Sequence, residues 1–224
     1  MTDVPTNPPA APAPPTGRGP LTLWTGPALA SLLVVLATIA AMRVEGREWF
    51  CACGEVRVWS GDVWSSHCSQ HFLDPYSFTH FTHGLIFAGG LALLVPRVPH
   101  RWRFVGALVI AAAWEVLENS PMIINRYRSV TMSLDYLGDS VTNAVGDIAC
   151  CGVGDVAAIR LGWKRSILLY LAIEVALLVL MRDNLALNVL MLIWPIDAIR
   201  QWQTPPGMGA GGAAFQSFLS AATS

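Results

Sequence analysis

The chain has 224 residues, of which 54% are hydrophobic and only 13% charged, with a formal net charge of −1 at pH 7. An ordinary soluble domain carries roughly 25% charged residues, so the shortfall argues against a water-soluble globule and for a membrane protein with several spans. A chain this close to neutral gives no basis for nucleic acid as a partner, because phosphate contacts need a basic face.

Residues 1–20 hold seven of the 15 prolines and almost no large apolar side chain, which predicts a disordered, polyproline-leaning tail unable to bury a core. From Leu21 to Met42 the chain carries no charge between Arg18 and Arg43. Twenty-two residues match the roughly 20 needed to cross a bilayer, and a cleaved signal peptide would have a shorter apolar run, so this is a retained first span. A polar loop over 43–77 follows, with Cys51, Cys53, Cys68, His67 and His71. Its Trp and Tyr side chains suit an interface. A second span over about 78–95 is entered through His80 and His83. The third runs from Phe104 to near Glu118 and is stopped by Pro121. The fourth, 136–159, is more polar and rich in small residues, and the fifth is 166–181. A sixth apolar piece over 185–199 is short for a crossing and interrupted by Pro195, leaving open whether it spans or re-enters. Residues 203–224 are Gly/Ala/Ser-rich and read as a flexible tail.

The short basic connections at 96–103 and 160–165 place those loops in the cytoplasm. The N-terminus is then cytoplasmic, and the 43–77 loop, the 119–135 loop and 182–184 lie outside. The expected fold is all-α: an integral membrane bundle of five or six spans over 21–202, in contact with membrane lipids.

The strings CACGEVRVWSGDVWSS, SQHFLDPYSFTHFTHG, WEVLENSPMIINRYR, DYLGDSVTNAVGD and RDNLALNVLMLIWP occur in that order over about 50–203. Together they resemble an uncharacterised family, a domain of unknown function, of bacterial multi-pass membrane proteins. The resemblance implies an inner-membrane location and nothing about catalysis.

In this topology the polar residues converge at the outer half of the bundle. His80 and His83, three apart, share a helical face, as do Glu115 and Glu118. Asp139, Asn143 and Asp147 repeat every four residues along the fourth span. Asp147 falls roughly 16 Å in, near mid-bilayer, and Glu174 could lie at the stripe's end or beyond it. Charged side chains at such depth mark a functional interior by default. Three readings follow. In the first, His80 and His83 hold a divalent transition metal, Glu115, Glu118, Asp139 and Asp147 are the candidate catalytic carboxylates, and the protein is an enzyme acting on an envelope lipid or lipid-linked substrate. In the second, the stripe is the path of a small transporter. In the third, the protein is a non-catalytic assembly or structural protein whose carboxylates pair with Arg126, Arg128 and Arg182. Asn119, Arg126, Arg128, Asn143 and Asp183 are structural or substrate-orienting candidates in all three.

The loop cysteines leave two alternatives. One is a disulfide from Cys68 to Cys51 or Cys53 on the oxidising side. The other is a closed zinc site of Cys51, Cys53, Cys68 and His71. His67 and His71 could serve a metal if that segment were helical. Cys150 and Cys151 read as packing residues, and Gly146, Ala149, Gly152 and Gly154 as the seam of a close helix contact. No Walker loop, dinucleotide fingerprint, H-E-x-x-H or G-x-S-x-G is present, which argues against a nucleotide enzyme or a known intramembrane protease.

Overall fold

The computed structural model describes residues 20–130 and 136–204. The Pro-rich tail, apart from Pro20, and the C-terminal tail beyond Thr204 lie outside the described residues. Those that are described form eight helices and no strand, with one isolated bridge between Trp59 and Leu73. Helix α1 (Pro20–Val44) is the uncharged first run. Helix α2 (Ser77–Leu94) and helix α3 (His100–Glu118) follow the long loop and the basic turn.

The segment expected as a plain loop at 119–135 contains a further helix, α4 (Pro121–Val130), bent 72° from α3. Pro121 explains both features. It lacks the N–H needed to continue α3, and its fixed φ suits the first position of a new helix.

Helix α5 (Val141–Leu161) is capped by Ser140, whose hydroxyl accepts from the Asn143 amide at 3.1 Å. The loop supplies other acceptors that a helix start needs: Val141 N–H donates to Glu48 O at 2.8 Å and Thr142 N–H to Trp49 O at 3.2 Å. The 43–77 segment is therefore docked onto the start of α5 rather than free in solvent.

Helices α2 and α5 cross with almost no space between them. A Cβ on Gly84 would collide with the Cys151 carbonyl and the Asp155 amide, and one on Gly154 with the Phe81 carbonyl. Gly146 is closed in the same way by Phe72 O. The expected seam is real at these positions, whereas Ala149 faces outward. Around this crossing Val34 and Val35 of α1 pack on Leu108, Ala112 and Ile148, and Ile39 packs on Met42, Val141 and Ala144.

Helix α6 (Trp163–Met181) ends at Arg182, which takes the left-handed conformation (φ 56°) and reverses the chain. Helix α7 (Leu185–Ile193) then starts beside α6. Asn184 caps it at the Leu187 amide, and the Glu174 carboxylate accepts from Leu185 N–H at 3.2 Å and Ala186 N–H at 3.1 Å. Glu174 thus serves the α7 N-terminus and does not continue the stripe from Asp147. At nine residues, about 13 Å, α7 is well short of a bilayer crossing. Helix α8 (Asp197–Gln203) follows Pro195.

Among the described residues two helices, α1 and α2, are long and apolar enough to cross a membrane, or up to three if the bent α3–α4 pair counts as one. Helices α5 and α6 have 21 and 19 residues, but Asp147, Asp155 and Arg160 in α5 and Lys164, Arg165 and Glu174 in α6 dilute their apolar runs.

Candidate functional site: a buried His–carboxylate cluster on a cavity

A cavity of about 390 Å³ lies between α2, α3, α5 and α7, roofed by the loop and α4. That volume falls in the range of small-molecule sites. Its polar wall carries His80, His83, Glu118, Asp139, Asp147 and Asp183, and Phe87, Ile110 and Leu117 are among its apolar lining.

His80 is the centre. The α2–α5 crossing brings it against Asp147, and α3 presents Glu115 on its other side. Its Nδ1 lies 3.2 Å from Glu115 Oε1 and its Nε2 3.8 Å from Asp147 Oδ2. All three residues are buried, Glu115 completely. Each offers one ligand atom, and these atoms lie within 4.8 Å of one another. Neither oxygen of Glu115 accepts a hydrogen bond among the described residues. A buried carboxylate left this way is costly unless a proton or a cation completes it. Asp147 is oriented from behind, because Ser77 Oγ donates to its Oδ1 at 2.8 Å and turns Oδ2 toward His80. His80 and Asp147 face the cavity while Glu115 lies behind them.

His83 is drawn away from the cluster. Its ring stacks on Phe87 with centroids 5.5 Å apart and meets His80 edge to face at 5.4 Å. His80, expected as a ligand together with His83, is grouped by position with Glu115 and Asp147. Glu118 lines the cavity within bonding reach of Tyr127 and Trp114.

The other acidic candidates have filled neighbourhoods. Asp139 accepts from Asn119 Nδ2 at 2.8 Å and from Tyr136 OH at 2.9 Å, and its own N–H donates to Asn119 Oδ1 at 2.6 Å. Asp183 accepts from Tyr76 OH and Gln203 Nε2, both at 3.1 Å. Burial holds its carboxyl up at about 6. Asn143 donates to His71 O at 2.8 Å, tying α5 to the loop. Among the described residues the expected arginine pairing is not seen: Arg126 donates to Leu192 O, Arg128 to Tyr136 O and Arg182 to Trp202 O. Each braces a backbone segment.

Two buried acids escaped the sequence reading. Asp74 accepts from the Ser69, Tyr76 and Ser77 amides, and burial lifts it to about 6. The D-P-Y-S string before a helix was its available signal, as an Asx-type start. Asp155 meets His100 at 2.8 Å at the opposite end of α5, a contact across 55 residues with no local signature.

The loop cysteines are all free thiols. Cys68 turns toward Asp74, and the residues whose ligand atoms gather in the loop are Cys51, Cys53, His67 and His71.

The profile of the family described as "Protein of unknown function (DUF2585)" matches residues 42–205. A UPF0314 protein of Paracoccus denitrificans is 47% identical over 172 residues, covering 77% of this chain and 89% of its own. A UPF0314 protein of Rhizobium meliloti is 43% identical over 81% of this chain and 90% of its own, and one of Novosphingobium aromaticivorans is 43% identical over 80% and 92%. No solved structure matches the fold. The chain therefore belongs to this family of uncharacterised bacterial proteins.

Proposed function

We propose that the protein is a multi-pass enzyme of the bacterial cytoplasmic membrane that uses a divalent transition metal at His80, Glu115 and Asp147 to hydrolyse an ester or phosphoester of an envelope lipid or lipid-linked substrate. The observation that carries the reading is Glu115: a fully buried carboxylate that accepts no hydrogen bond among the described residues, 3.2 Å from a histidine that also faces Asp147. Three protein ligands with a remaining position toward a cavity is the arrangement of catalytic rather than structural metal sites. Nitrogen and carboxylate donors suit zinc, manganese or iron. His80, Glu115 and Asp147 would hold such an ion, which would supply activation of water for attack near neutral pH.

The chain's own residues supply the rest. Ser77 orients Asp147, as outer-shell partners orient metal ligands. Glu118, at the cavity wall, is placed to carry a proton to a leaving group. Ile110, Leu117 and Val189 line the cavity and are also exposed on the outside of the bundle, which supports entry of substrate sideways from lipid. Exposed Leu29, Leu32, Leu33 and Leu36 on α1 and Leu168, Leu171, Val175 and Val179 on α6 support lipid contact around both helices, and with it a bundle in which α5 and α6 also cross. Asn119, Asp139, Asn143 and Asp183 are assigned to holding the cavity walls, since their hydrogen bonds are made within the protein.

A small transporter is the second reading, favoured by one feature. Helix α7 is a short half-helix starting beside α6, and Asn188 and Val189 reach the cavity, as discontinuous helices do at transport sites.

The test is to incubate metal-loaded, detergent-purified protein with a lipid extract of its host and follow lipid masses. Loss of an ester- or phosphoester-linked group is expected with the wild type and not with Glu115→Gln or chelated protein. An unchanged lipid profile with the loaded wild type would overturn the hydrolase reading.

A further inference from the structure

We infer that the 43–77 loop holds a structural zinc ion, bound by Cys51 Sγ, Cys53 Sγ, His67 Nδ1 and His71 Nε2, which clips the loop over the mouth of the cavity. This site is separate from the His80 cluster and does not depend on it.

The four ligand atoms already lie within 4.8 Å of one another, and the three edges from His67 Nδ1 match those of a tetrahedron around zinc. Bonds of about 2.3 Å to sulfur and 2.0–2.1 Å to nitrogen require edges of roughly 3.6 Å from sulfur to nitrogen and 3.3 Å between nitrogens. His67 Nδ1 lies 3.6 Å from Cys51 Sγ, 3.7 Å from Cys53 Sγ and 3.2 Å from His71 Nε2. The segment that carries the two histidines is a run of turns rather than a helix, yet it stacks their rings at 5.3 Å with an 18° tilt. Two nitrogens facing each other at 3.2 Å need either a shared proton or a cation between them.

The second shell is also in place. The Cys53 amide points at Cys51 Sγ at 3.4 Å and the Glu55 amide at Cys53 Sγ at 3.3 Å. Such donors stabilise thiolates, which are the form that binds metal. Two thiolates and two neutral imidazoles leave a zinc complex without net charge, suited to a position where Cys51 and His71 are buried. Four protein ligands leave no open coordination position, so this is a structural site.

Its consequence follows from what the clipped segment touches. His71 O accepts from Asn143 Nδ2 on α5 and Gln70 O from Oγ of Ser140, the cap of α5, and the adjoining Cys68 and Ser69 line the cavity. Fixing His67 and His71 to the Cys51–Cys53 turn therefore fixes the cavity's outer wall to the start of α5.

The experiment replaces zinc with cobalt in untagged, detergent-purified full-length protein and reads its absorption. Tetrahedral cobalt with two thiolates gives intense visible bands and a sulfur-to-metal charge-transfer band. One such cobalt per chain is expected in the wild type and in Glu115→Gln, with the charge-transfer band at least halved in Cys53→Ser and displaced by added zinc. Chelation is expected to speed hydrogen exchange of the Ser140 to Thr142 amides, whose acceptors the loop supplies. Absence of the charge-transfer band in the reduced wild type overturns the inference. So does a band that persists unchanged in Cys53→Ser, or one lost in Glu115→Gln.

Discussion

At the scale of single residues, the buried acids divide by who completes them. Asp74, Asp139 and Asp183 accept hydrogen bonds from neutral donors, whereas Glu115, beside the His80 imidazole and near Asp147, accepts none among the described residues. The first group is open to a pH test. Burial raises Asp183 from 3.8 to about 6, so the folded state favours its protonated form. That contribution is complete below about pH 4 and lost as pH rises through about 6, on the order of 3 kcal/mol for a two-unit shift. Asp74 titrates in the same window, so the wild-type slope carries both groups. Melting profiles of wild type and Asp183→Asn in detergent should therefore differ in slope, the wild type losing more stability between pH 4 and 7 than the variant, whose amide resembles the protonated carboxyl. Parallel profiles would show that Asp183 is not desolvated. Composition and spacing made Glu115, His80 and Asp147 visible in the sequence, because charge at span depth stands out. His83 looked equal to His80 because i, i+3 spacing cannot distinguish a ring turned to α3 from one stacked on Phe87. The role of Asp74 depended on loop amides that only the folded backbone assembles.

At the scale of elements, the site depends on how closely α2 and α5 approach. Gly154 meets the Phe81 carbonyl and Gly84 meets the Cys151 carbonyl, and this contact sets His80 against Asp147. Leucine at 154 cannot be housed without parting the helices. Gly154→Leu is expected to cost roughly 1–3 kcal/mol or more and to lower the melting temperature, while Ala149→Leu, on the outward face, leaves it nearly unchanged. Equal melting temperatures for the two variants would contradict the crossing. The boundaries of α1, α2, α3 and α6 were legible to within a few residues because apolar runs end at charges or Pro. Helix α4 was not, since its polar Asn125, Arg126 and Arg128 mimic a loop, and its apolar Ile124, Tyr127 and Val130 bury themselves only against the folded bundle. The fate of the 185–199 segment rested on Arg182 adopting a left-handed turn, which composition does not announce.

At the scale of the whole molecule, the loop, the crossing and the half-helix border one cavity, and in the proposed membrane bundle its side of the bilayer would fix which substrates reach it. The basic connections at 96–103 and 160–165 predict that side. In a cysteine-depleted background, a membrane-impermeant maleimide should label Met122→Cys in intact cells and Arg97→Cys only after lysis. The reverse pattern would place the cavity toward the cytoplasm. The central claim, that His80, Glu115 and Asp147 form a metal site distinct from the loop cluster, is tested most directly by counting metal. Elemental analysis of untagged, detergent-purified wild type should find two equivalents of transition metal per chain. Glu115→Gln and Cys53→Ser should each retain one, with melting showing that both remain folded. A folded Glu115→Gln protein holding as much metal as the wild type would contradict the claim.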